Sequence, residues 1–331
     1  MKGVILDADS LGLGDVDLEP ITGLPLSWDI YGTSQPEEVV ERIVDAEVVL
    51  TNKASIGKTE LSAAPELKYI GVLATGTNVI DLNATEAKGV VVTNVVGYGT
   101  ASVVQHTWAL ILALTTKLPD YNVAALDGRW SESPFFCLLD FPVNELSGKT
   151  LGVVGYGQLG RKVADIGRAF GMDVQVAELP WRHRSDTDKV GDTGRINDVG
   201  RMPFDQLLAK ADVISLHCPL TEETRNLIDR KQLAMMKNSA LLVNCARGGI
   251  VNEQALVEAL EDGVIAGAGM DVLTEEPPKN GNPLLNPEIP NLIVTPHSAW
   301  VAKESRQRLI VQVGENIKAF LAGNPCNVVR A

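Results

Sequence analysis

Near its middle the chain reads Val153-Val154-Gly155-Tyr156-Gly157-Gln158-Leu159-Gly160, between a short apolar run and a helix-like stretch, Arg161 to Phe170. This is a G-x-G-x-x-G turn in the strand-to-helix context that binds a dinucleotide. Gly155 allows the tight turn, Gly157 lets the backbone approach a pyrophosphate, and Gly160 lets helix and strand pack closely. The free N–H groups that open the helix then face the phosphates. The alternative is a glycine-rich turn that binds nothing.

An acidic residue lies at the distance that such a turn requires. Glu178 ends the next predicted strand, Met172 to Ala177, eighteen residues beyond Gly160. Its carboxylate would accept hydrogen bonds from the ribose hydroxyls and would repel the extra 2′-phosphate of NADP. Arg182 and Arg184 lie close enough in sequence to soften that preference. The sequence therefore predicts NAD (NADH) as the cofactor, with NADP as the less favoured alternative.

Length and composition limit the classes of function. A chain of 331 residues predicts two domains, and 45% hydrophobic with 21% charged residues is typical of a soluble globular protein. The net charge of −13 argues against a nucleic-acid partner. The four cysteines include no C-x-x-C pair, which predicts reduced thiols, a cytoplasmic protein and no metal site. No signal region or membrane-length apolar run is evident, so no membrane partner is expected.

Short apolar runs alternate with helical patterns, which predicts parallel sheets covered by helices. Before the glycine turn the predicted strands are Val4–Leu6, Trp28–Tyr31, Val48–Thr51, Tyr69–Leu73 and Val90–Thr93. From the turn onward they are Leu151–Val154, Asp173–Ala177, Asp212–Leu216, Ala240–Asn244, Ile265–Ala268 and Leu292–Val294. The six later strands suit a complete dinucleotide-binding sheet, and a complete α/β unit precedes it.

Three helices and one exposed loop complete this prediction. A helix at Pro36–Ala46 has one apolar stripe, and the last helix, Lys303–Ala322, has an apolar face that is free to pack on the first domain. The helix Ala101–Leu118 is apolar around nearly its whole circumference, which predicts burial on all sides, between domains or subunits. The polar stretch Pro180–Gly200 predicts an exposed loop between a strand and a helix.

Three polar residues follow predicted strands in the second half, where ligands bind in open α/β sheets. Arg247 follows a strand and precedes two glycines, and an arginine can bind a carboxylate through two hydrogen bonds. His297 follows the last strand and can transfer a proton near neutral pH, and Glu276 can orient its ring. Together they predict a site that reduces a 2-keto acid.

Each of these residues has a competing interpretation. Arg247 also fits a surface arginine on a glycine turn, and Glu276 fits a solvated carboxylate beside Glu275. His217 also ends a strand and is the rival of His297, although the Cys-Pro-Leu-Thr that follows it predicts a wall of the cofactor site. Of the remaining histidines, His106 is predicted to be a packed core residue and His183 to be solvated.

Five separated blocks resemble the D-isomer-specific 2-hydroxyacid dehydrogenases. They are GVVGYGQLGRKVA at 152–164, LHCPLTEETRNLID at 216–229, LVNCARGGIVNEQAL at 242–256, GMDVLTEEPP at 269–278 and VTPHSAW at 294–300. The resemblance implies an α/β fold of two Rossmann-like domains with parallel sheets. A dinucleotide-binding domain at 101–298, which includes the interdomain and dimerisation helix, would be inserted into a split, flavodoxin-like substrate domain at 1–100 and 299–331. It also implies a homodimer built through that helix and its extension near Trp130.

The same resemblance places the family's catalytic set on Arg247, Glu276 and His297, the three residues already selected. With the motif interpretation, it predicts cofactor contacts from Gly155, Gly157, Gln158, Leu159, Gly160, Glu178, His217, Pro219, Thr224, Cys245, Ala246 and Asp271. Asp271 resembles the residue that bonds the nicotinamide carboxamide. The substrate would contact Asn52, Lys53, Thr75 and Gly76 in addition to Arg247 and His297.

The stretches at 99–112 and 129–152 resemble the glycerate dehydrogenase (hydroxypyruvate reductase) branch of the family. Phosphoglycerate-oxidising relatives usually carry Arg-Ser where this chain has Thr51-Asn52, and with Ala331 as the last residue their C-terminal regulatory domain is not expected here. A small, unphosphorylated 2-keto or 2-hydroxy acid is therefore expected. The implied reaction is reversible reduction of hydroxypyruvate or glyoxylate to D-glycerate or glycolate. The alternatives are a broad-specificity dehydrogenase of the D-lactate type and a dinucleotide-sensing binding protein.

Overall fold

The computed structural model of this protein describes residues 1–179 and 200–331. They form two compact units: unit 1 comprises Met1–Ala101 and Trp300–Ala331, and unit 2 comprises Ser102–Ala299. These limits lie one residue from those expected from the sequence. The roles of the units in substrate and NAD binding stay predictions at this point. Residues 180–199 of the predicted exposed loop lie outside the described residues, and they include Arg182, His183 and Arg184.

Strands and helices alternate in both units. The strands are β1 (Lys2–Ile5), β2 (Ser27–Ile30), β3 (Val48–Thr51), β4 (Tyr69–Val72), β5 (Val91–Thr93), β6 (Thr150–Val154), β7 (Asp173–Glu178), β8 (Arg201–Pro203), β9 (Val213–Leu216), β10 (Leu241–Asn244), β11 (Gly267–Met270), β12 (Leu292–Val294) and β13 (Val328–Val329). The helices are α1 (Glu19–Thr22), α2 (Pro36–Ile43), α3 (Lys58–Ala63), α4 (Leu82–Lys88), α5 (Thr100–Thr116), α6 (Leu118–Leu126), α7 (Gln158–Ala169), α8 (Phe204–Lys210), α9 (Arg230–Met235), α10 (Glu253–Glu261) and α11 (Lys303–Leu321).

The sheet of unit 1 has the order β13-β5-β4-β3-β1-β2. Its strands β1 to β5 are parallel and follow the flavodoxin-like order 2-1-3-4-5, so that part of the prediction is confirmed. One strand was not predicted: the short β13 is added at one edge, where it pairs antiparallel with β5. Helix α11 returns to this unit as predicted and buries Leu309, Val313 and Ile317 in the core beneath the sheet.

The sheet of unit 2 has the order β12-β11-β10-β9-β6-β7-β8, with every strand parallel to its neighbours. This is the dinucleotide-binding order, in which the chain runs outward from β6 to β8 and then returns to the other side of β6 at β9. The six-strand prediction is wrong by one, because β8 adds an edge strand next to β7. Such a three-residue strand is too short to leave a periodic signal.

The strand predicted at Ile265–Ala268 is shifted by two residues, to Gly267–Met270. Propensity favoured Ile265 over the glycines, because glycine is a poor strand former. Close packing requires the glycines instead. A Cβ on Gly267 would lie 2.8 Å from the carbonyl oxygen of Asn291, and one on Gly269 would lie 3.1 Å from Cβ of Leu110 in α5.

The single chain does not bury α5 on all sides, and the predicted packing of this helix between subunits stays a prediction. One side packs on the sheet of unit 2 and buries Trp108 and Ile111, whereas Gln105 and Ala109 on the other side are exposed. An apolar circumference thus does not establish that the chain itself covers every face. Within the described part of the chain, no helix combines the length and apolar character needed to cross a membrane.

Candidate active site

The glycine turn joins β6 to α7 and has the close contacts that its glycines predict. Gly155 has φ +95°, and a Cβ there would lie 2.6 Å from the carbonyl carbon and oxygen of His217. A Cβ on Gly160 would lie 2.0 Å from the carbonyl oxygen of Gly155. Both positions therefore require glycine, because the backbone itself occupies the space of a side chain.

Gly157 differs from its two neighbours in having open space. In the described part of the chain, no heavy atom lies within 4 Å of a Cβ built there, so packing within that part does not require a glycine. Gly157 is the N-cap of α7 and provides no side-chain cap, and the first-turn N–H groups, including those of Gln158 and Leu159, have no partner within the helix. An open backbone beside unpartnered donors is the arrangement that accepts the pyrophosphate of NAD.

The strand order places other predicted cofactor residues at the same edge. Because β7 runs parallel to β6, exposed Glu178 at its end lies on the side of the glycine turn. Strand β9 flanks β6 on the other side, and the N–H of His217 donates to the carbonyl of Val154 at 2.7 Å. The strand order reverses between β6 and β9, because β7 and β8 lie on one side of β6 and the later strands on the other. Dinucleotides bind at such topological switch points.

The loop after β9 is shaped by one of the predicted cofactor residues. Thr224 is buried, and its hydroxyl donates to the carbonyl oxygen of exposed Pro219 at 2.7 Å. The N–H of Thr221 donates back to the Thr224 hydroxyl, also at 2.7 Å. Thr224 therefore fixes the loop path that presents Pro219.

His217 lies in a very different environment from His297. Its Nε2 is 2.8 Å from the hydroxyl of Ser215, and its buried Nδ1 has no hydrogen-bond partner among the residues that the structure describes. Burial lowers the pKa of the His217 imidazole to about 4. The ring is therefore neutral at physiological pH, which disfavours it as a proton donor.

The loop after β10 carries Arg247 and is shaped by Asn244. The buried Asn244 side chain accepts from the N–H of Ala246 at 3.0 Å and donates to the carbonyl of Arg247 at 2.9 Å. Arg247 itself is exposed, with Nη1 donating to the carbonyl of Ala246. Cys245 is buried with Ala246, and burial raises the pKa of its thiol to about 12. The loop thus presents a guanidinium beside an uncharged wall.

The loop after β11 contacts this arginine loop and carries Glu276. A Cβ on Gly248 would lie 1.8 Å from the carbonyl oxygen of Leu273, so the two backbones are pressed together. The N–H of Leu273 donates to Oε1 of Glu276 at 2.8 Å, and Oε2 of Glu276 lies 2.6 Å from Nδ1 of His297. Glu275 instead accepts from Asn280. Of the two adjacent carboxylates, Glu276 is the one that pairs with histidine.

His297 follows β12 and is held in an uncommon backbone conformation. Its φ of +50° lies in the left-handed region, which is unfavourable for most residues and persists only where the surroundings impose it. Here its N–H donates to the carbonyl oxygen of Asp271 at 2.8 Å. The Asp271 side chain is buried and accepts from Thr295, Ser298 and Ala299 on both sides of the histidine. In this structure Asp271 organises the His297 loop.

The predicted substrate residues of unit 1 lie at one edge of its sheet. Asn52 and Lys53 follow β3, Thr75 and Gly76 follow β4, and these two strands are parallel neighbours. Asn52 is buried, with its amide donating to the hydroxyl of Ser10 at 3.0 Å. Thr75 is exposed, and its hydroxyl donates to a backbone carbonyl.

A residue that sequence reasoning missed holds the first of these turns. The carboxylate of Asp7, just beyond β1, accepts from the N–H groups of Asn52, Lys53 and Ala54 at 2.9, 2.6 and 2.9 Å. Strands β1 and β3 are neighbours at the reversal point of this sheet. Asp7 and Thr295 follow apolar strands and Asn244 ends one, but the sequence does not reveal which groups they bond. Among the described residues there is no cluster of three metal-ligating side chains.

Comparisons with known proteins agree with this geometry. A family model, D-isomer specific 2-hydroxyacid dehydrogenase, NAD binding domain, matches residues 108–299. The chain is 41% identical over 331 residues to a glycerate dehydrogenase from Methylorubrum extorquens, which covers 100% of this chain and 99% of the relative. It is 39% identical over 331 residues to a hydroxypyruvate reductase from Blautia hydrogenotrophica, covering 99% of each.

One solved structure extends the comparison to the fold. A D-lactate dehydrogenase from Aquifex aeolicus, complexed with NAD and lactic acid, matches with a TM-score of 0.80 at 30% identity. The match covers 98% of this chain and 96% of that one. The chain therefore belongs to the D-isomer specific 2-hydroxyacid dehydrogenase family.

Proposed function

We propose that this protein uses NADH to reduce hydroxypyruvate, and also glyoxylate, to D-glycerate and glycolate, and that it catalyses the reverse oxidations. The observation that carries the proposal is the 2.6 Å contact between Nδ1 of His297 and Oε2 of Glu276. This pair lies at the sheet edge that also carries Arg247 and the glycine turn. The names of the two relatives that match the whole chain support the substrate class.

The proposed chemistry assigns one task to each catalytic side chain. Arg247 binds the substrate carboxylate through its planar fork of N–H donors and polarises the keto oxygen. Glu276 accepts a hydrogen bond from Nδ1–H of His297, which fixes the orientation of the ring. His297 then donates its Nε2 proton to the keto oxygen. Bound NADH supplies the hydride to the keto carbon, so that the carbonyl becomes a hydroxyl-bearing carbon. The His297 side chain is 38% exposed, and solvent returns its proton.

An assay of NADH consumption with purified protein tests this reaction. Hydroxypyruvate, glyoxylate, pyruvate and a phosphorylated hydroxypyruvate should be compared, with hydroxypyruvate giving the highest kcat/KM. A preference for pyruvate would favour the broad D-lactate type of enzyme. NADH binding without turnover of any keto acid would instead favour the dinucleotide sensor and overturn the proposal.

Variants separate the roles of the two key side chains. His297→Gln should lower kcat by about a thousandfold or more and leave the Kd for NADH unchanged. Arg247→Ala should raise KM for the keto acid and lower kcat together. Arg230→Ala is a matched control, because this exposed arginine pairs with Glu258 on the surface. A normal kcat/KM in either catalytic variant would remove that residue from the mechanism.

The preference for NADH over NADPH is a further part of the proposal. Glu178 is exposed at the end of β7, where its carboxylate would accept from the ribose and oppose a 2′-phosphate. Glu178→Gln should therefore raise kcat/KM with NADPH relative to NADH. A wild-type preference for NADPH would contradict the assignment of Glu178 as the ribose ligand.

Contacts from Asn52, Lys53, Thr75 and Gly76 to the substrate are likewise proposed. Lys53 is exposed at the end of a turn that Asp7 fixes. Lys53→Met should raise KM for hydroxypyruvate and leave the Kd for NADH unchanged. An unchanged KM would exclude the Lys53 ammonium group from substrate binding.

We infer in addition a homodimer. Unit 2 exposes a run of apolar side chains along and after α6: Leu118, Val123, Leu126, Trp130, Phe135, Phe136, Leu139 and Val143. Exposed apolar surfaces of this kind commonly mark interfaces between subunits. Light scattering should give twice the mass of the chain, and Phe136→Asp should reduce it to that of a monomer.

We also propose a cytoplasmic location. Its support is that all four cysteines are unpaired thiols, which suits a reducing compartment. Thiol titration of protein isolated under non-reducing conditions should find all of them free.

A further inference from the structure

One hydroxyl connects a helix to the loop that carries His297. Oγ1 of Thr295 lies 2.6 Å from Oδ1 of Asp271 and 2.9 Å from Nε2 of His106, which is on α5. A threonine hydroxyl has one proton, and an ionised carboxylate can only accept. Thr295 therefore donates to Asp271, and its oxygen accepts from His106. This fixes the tautomer of His106, because Nε2 must carry a proton.

The same residue, Asp271, holds the backbone of His297 and of the two residues that follow it. The Asp271 side chain accepts hydrogen bonds from the backbone N–H groups of Ser298 at 2.9 Å and Ala299 at 3.0 Å. The Asp271 backbone carbonyl accepts one from the N–H of His297 at 2.8 Å. His297 is kept at φ +50° by these bonds. A change in the position of the Asp271 side chain would therefore move the histidine ring.

His106 is placed to influence that carboxylate directly as well as through the hydroxyl. Its Nε2 lies 3.4 Å from Oδ1 of Asp271, and the side chains are 23% and 1% exposed respectively. In such a secluded site a hydrogen-bond donor is not readily replaced by water. His106 is thus not the simple core residue that the apolar helix predicted.

We infer that His106 is a positioning residue for His297, acting through Thr295 and Asp271. The inference rests on the proposed function, in which His297 donates a proton to the keto oxygen. Small displacements of a catalytic group lower the rate without removing the bound substrate. The expected signature is a fall in kcat with little change in binding.

Two amide substitutions test which ring nitrogen matters. Glutamine at position 106 places an amide nitrogen the same number of bonds from Cα as Nε2, whereas asparagine places it at the level of Nδ1. His106→Asn and Thr295→Val should each lower kcat about tenfold, with KM for hydroxypyruvate and Kd for NADH changed by less than about twofold. His106→Gln should recover most of the loss. Thr116→Val, which removes an exposed hydroxyl from the same helix, is the control for loss of a hydroxyl.

The double variant shows whether the two residues act as one unit. His106→Asn combined with Thr295→Val should have about the kcat of either single variant, because the second change breaks a connection already lost. Equal activities of the Asn and Gln variants, or single losses that multiply in the double variant, would overturn the inference.

Hydrogen exchange of residues 295–299 gives a measurement that is independent of catalysis. Exchange should be faster than in the wild type in His106→Asn and Thr295→Val, and close to the wild type in His106→Gln. Failure of the wild type to reduce any keto acid would end the proposed function, and the exchange data would still decide whether His106 positions this loop. Identical exchange in all four proteins would refute the positioning role.

Discussion

Replacement of Gly157 by alanine should separate cofactor binding from folding. Of the three fingerprint glycines, only Gly157 would have an added Cβ with no heavy atom of residues 1–179 and 200–331 within 4 Å. Its φ of −81° is accessible to alanine. The added methyl group would project into the space where the pyrophosphate is proposed to approach the backbone. We expect Gly157→Ala to fold normally and to bind NADH at least about tenfold more weakly, a loss of about 1.4 kcal/mol.

The expected effect of Gly157→Ala on stability follows from two opposing contributions. Loss of glycine's freedom in the unfolded chain stabilises by about 0.4–1 kcal/mol. Alanine is a poorer N-cap than glycine, which costs about 0.5–1 kcal/mol at the start of α7. The free energy of unfolding should therefore change by less than about 1 kcal/mol. Gly160→Ala is the matched contrast, because its Cβ would lie 2.0 Å from a backbone oxygen and should destabilise by about 1–3 kcal/mol or more.

Fluorescence quenching on NADH titration and urea unfolding test the pair of variants. Gly157→Ala should show the wild-type unfolding midpoint with a raised Kd, and Gly160→Ala should show a lowered midpoint. Wild-type NADH affinity in a folded Gly157→Ala protein would refute the assignment of this turn to the pyrophosphate.

The remaining predictions concern pH, a backbone contact and a buried acid. The pKa of His217 is about 4 in the folded protein against 6.5 ordinarily, so the unfolded chain binds a proton more readily. Stability is thus fully present above pH 6.5 and is lost as the pH falls toward 4. The free energy of unfolding should fall by about 2 kcal/mol by pH 5. Urea unfolding at pH 7 and pH 5 should show this fall in the wild type and not in His217→Gln. Gly248→Ala would place a Cβ 1.8 Å from the carbonyl oxygen of Leu273; it should lower both Tm and kcat, and a normal kcat would show that this contact does not position Arg247. Asp7→Asn removes a charged acceptor from three backbone N–H groups and should lower the free energy of unfolding, measured in urea, by about 2 kcal/mol. The control Asp9→Asn changes an exposed aspartate two residues away and should have no measurable effect.

Much of the fold could be predicted from local signals in the sequence. Strands β1 to β5 of unit 1 and the glycine turn were predictable because apolar runs, helix stripes and turn residues act over a few neighbouring positions. The rule that ligands bind beyond the carboxyl ends of strands selected Arg247, Glu276 and His297 from sequence order alone. Their catalytic roles stay predictions, but the pairing of Glu276 with His297 is present in the structure.

Other features were not accessible because they depend on partners far apart in the chain. Sequence order selected Glu276 but left a competing interpretation with Glu275 beside it, and only the path of the loop after β11 shows which of the two carboxylates pairs with His297. The role of Asp271 in holding residues 295–299, and its connection to His106, join segments more than twenty residues apart. No pattern of spacing predicts which donor a buried carboxylate will accept.

The amino-acid sequence by itself determined the class of fold, the dinucleotide turn and the edge of the sheet where chemistry is expected, because these follow from short-range conformational preferences and from the order of strands. Only the tertiary structure decided that β11 includes Gly267 and Gly269, that the chain leaves one side of α5 exposed, and that His297 is held at a left-handed φ. Each of these is set by close approach or by hydrogen bonding between distant segments, which outweighs local preference when the groups are buried.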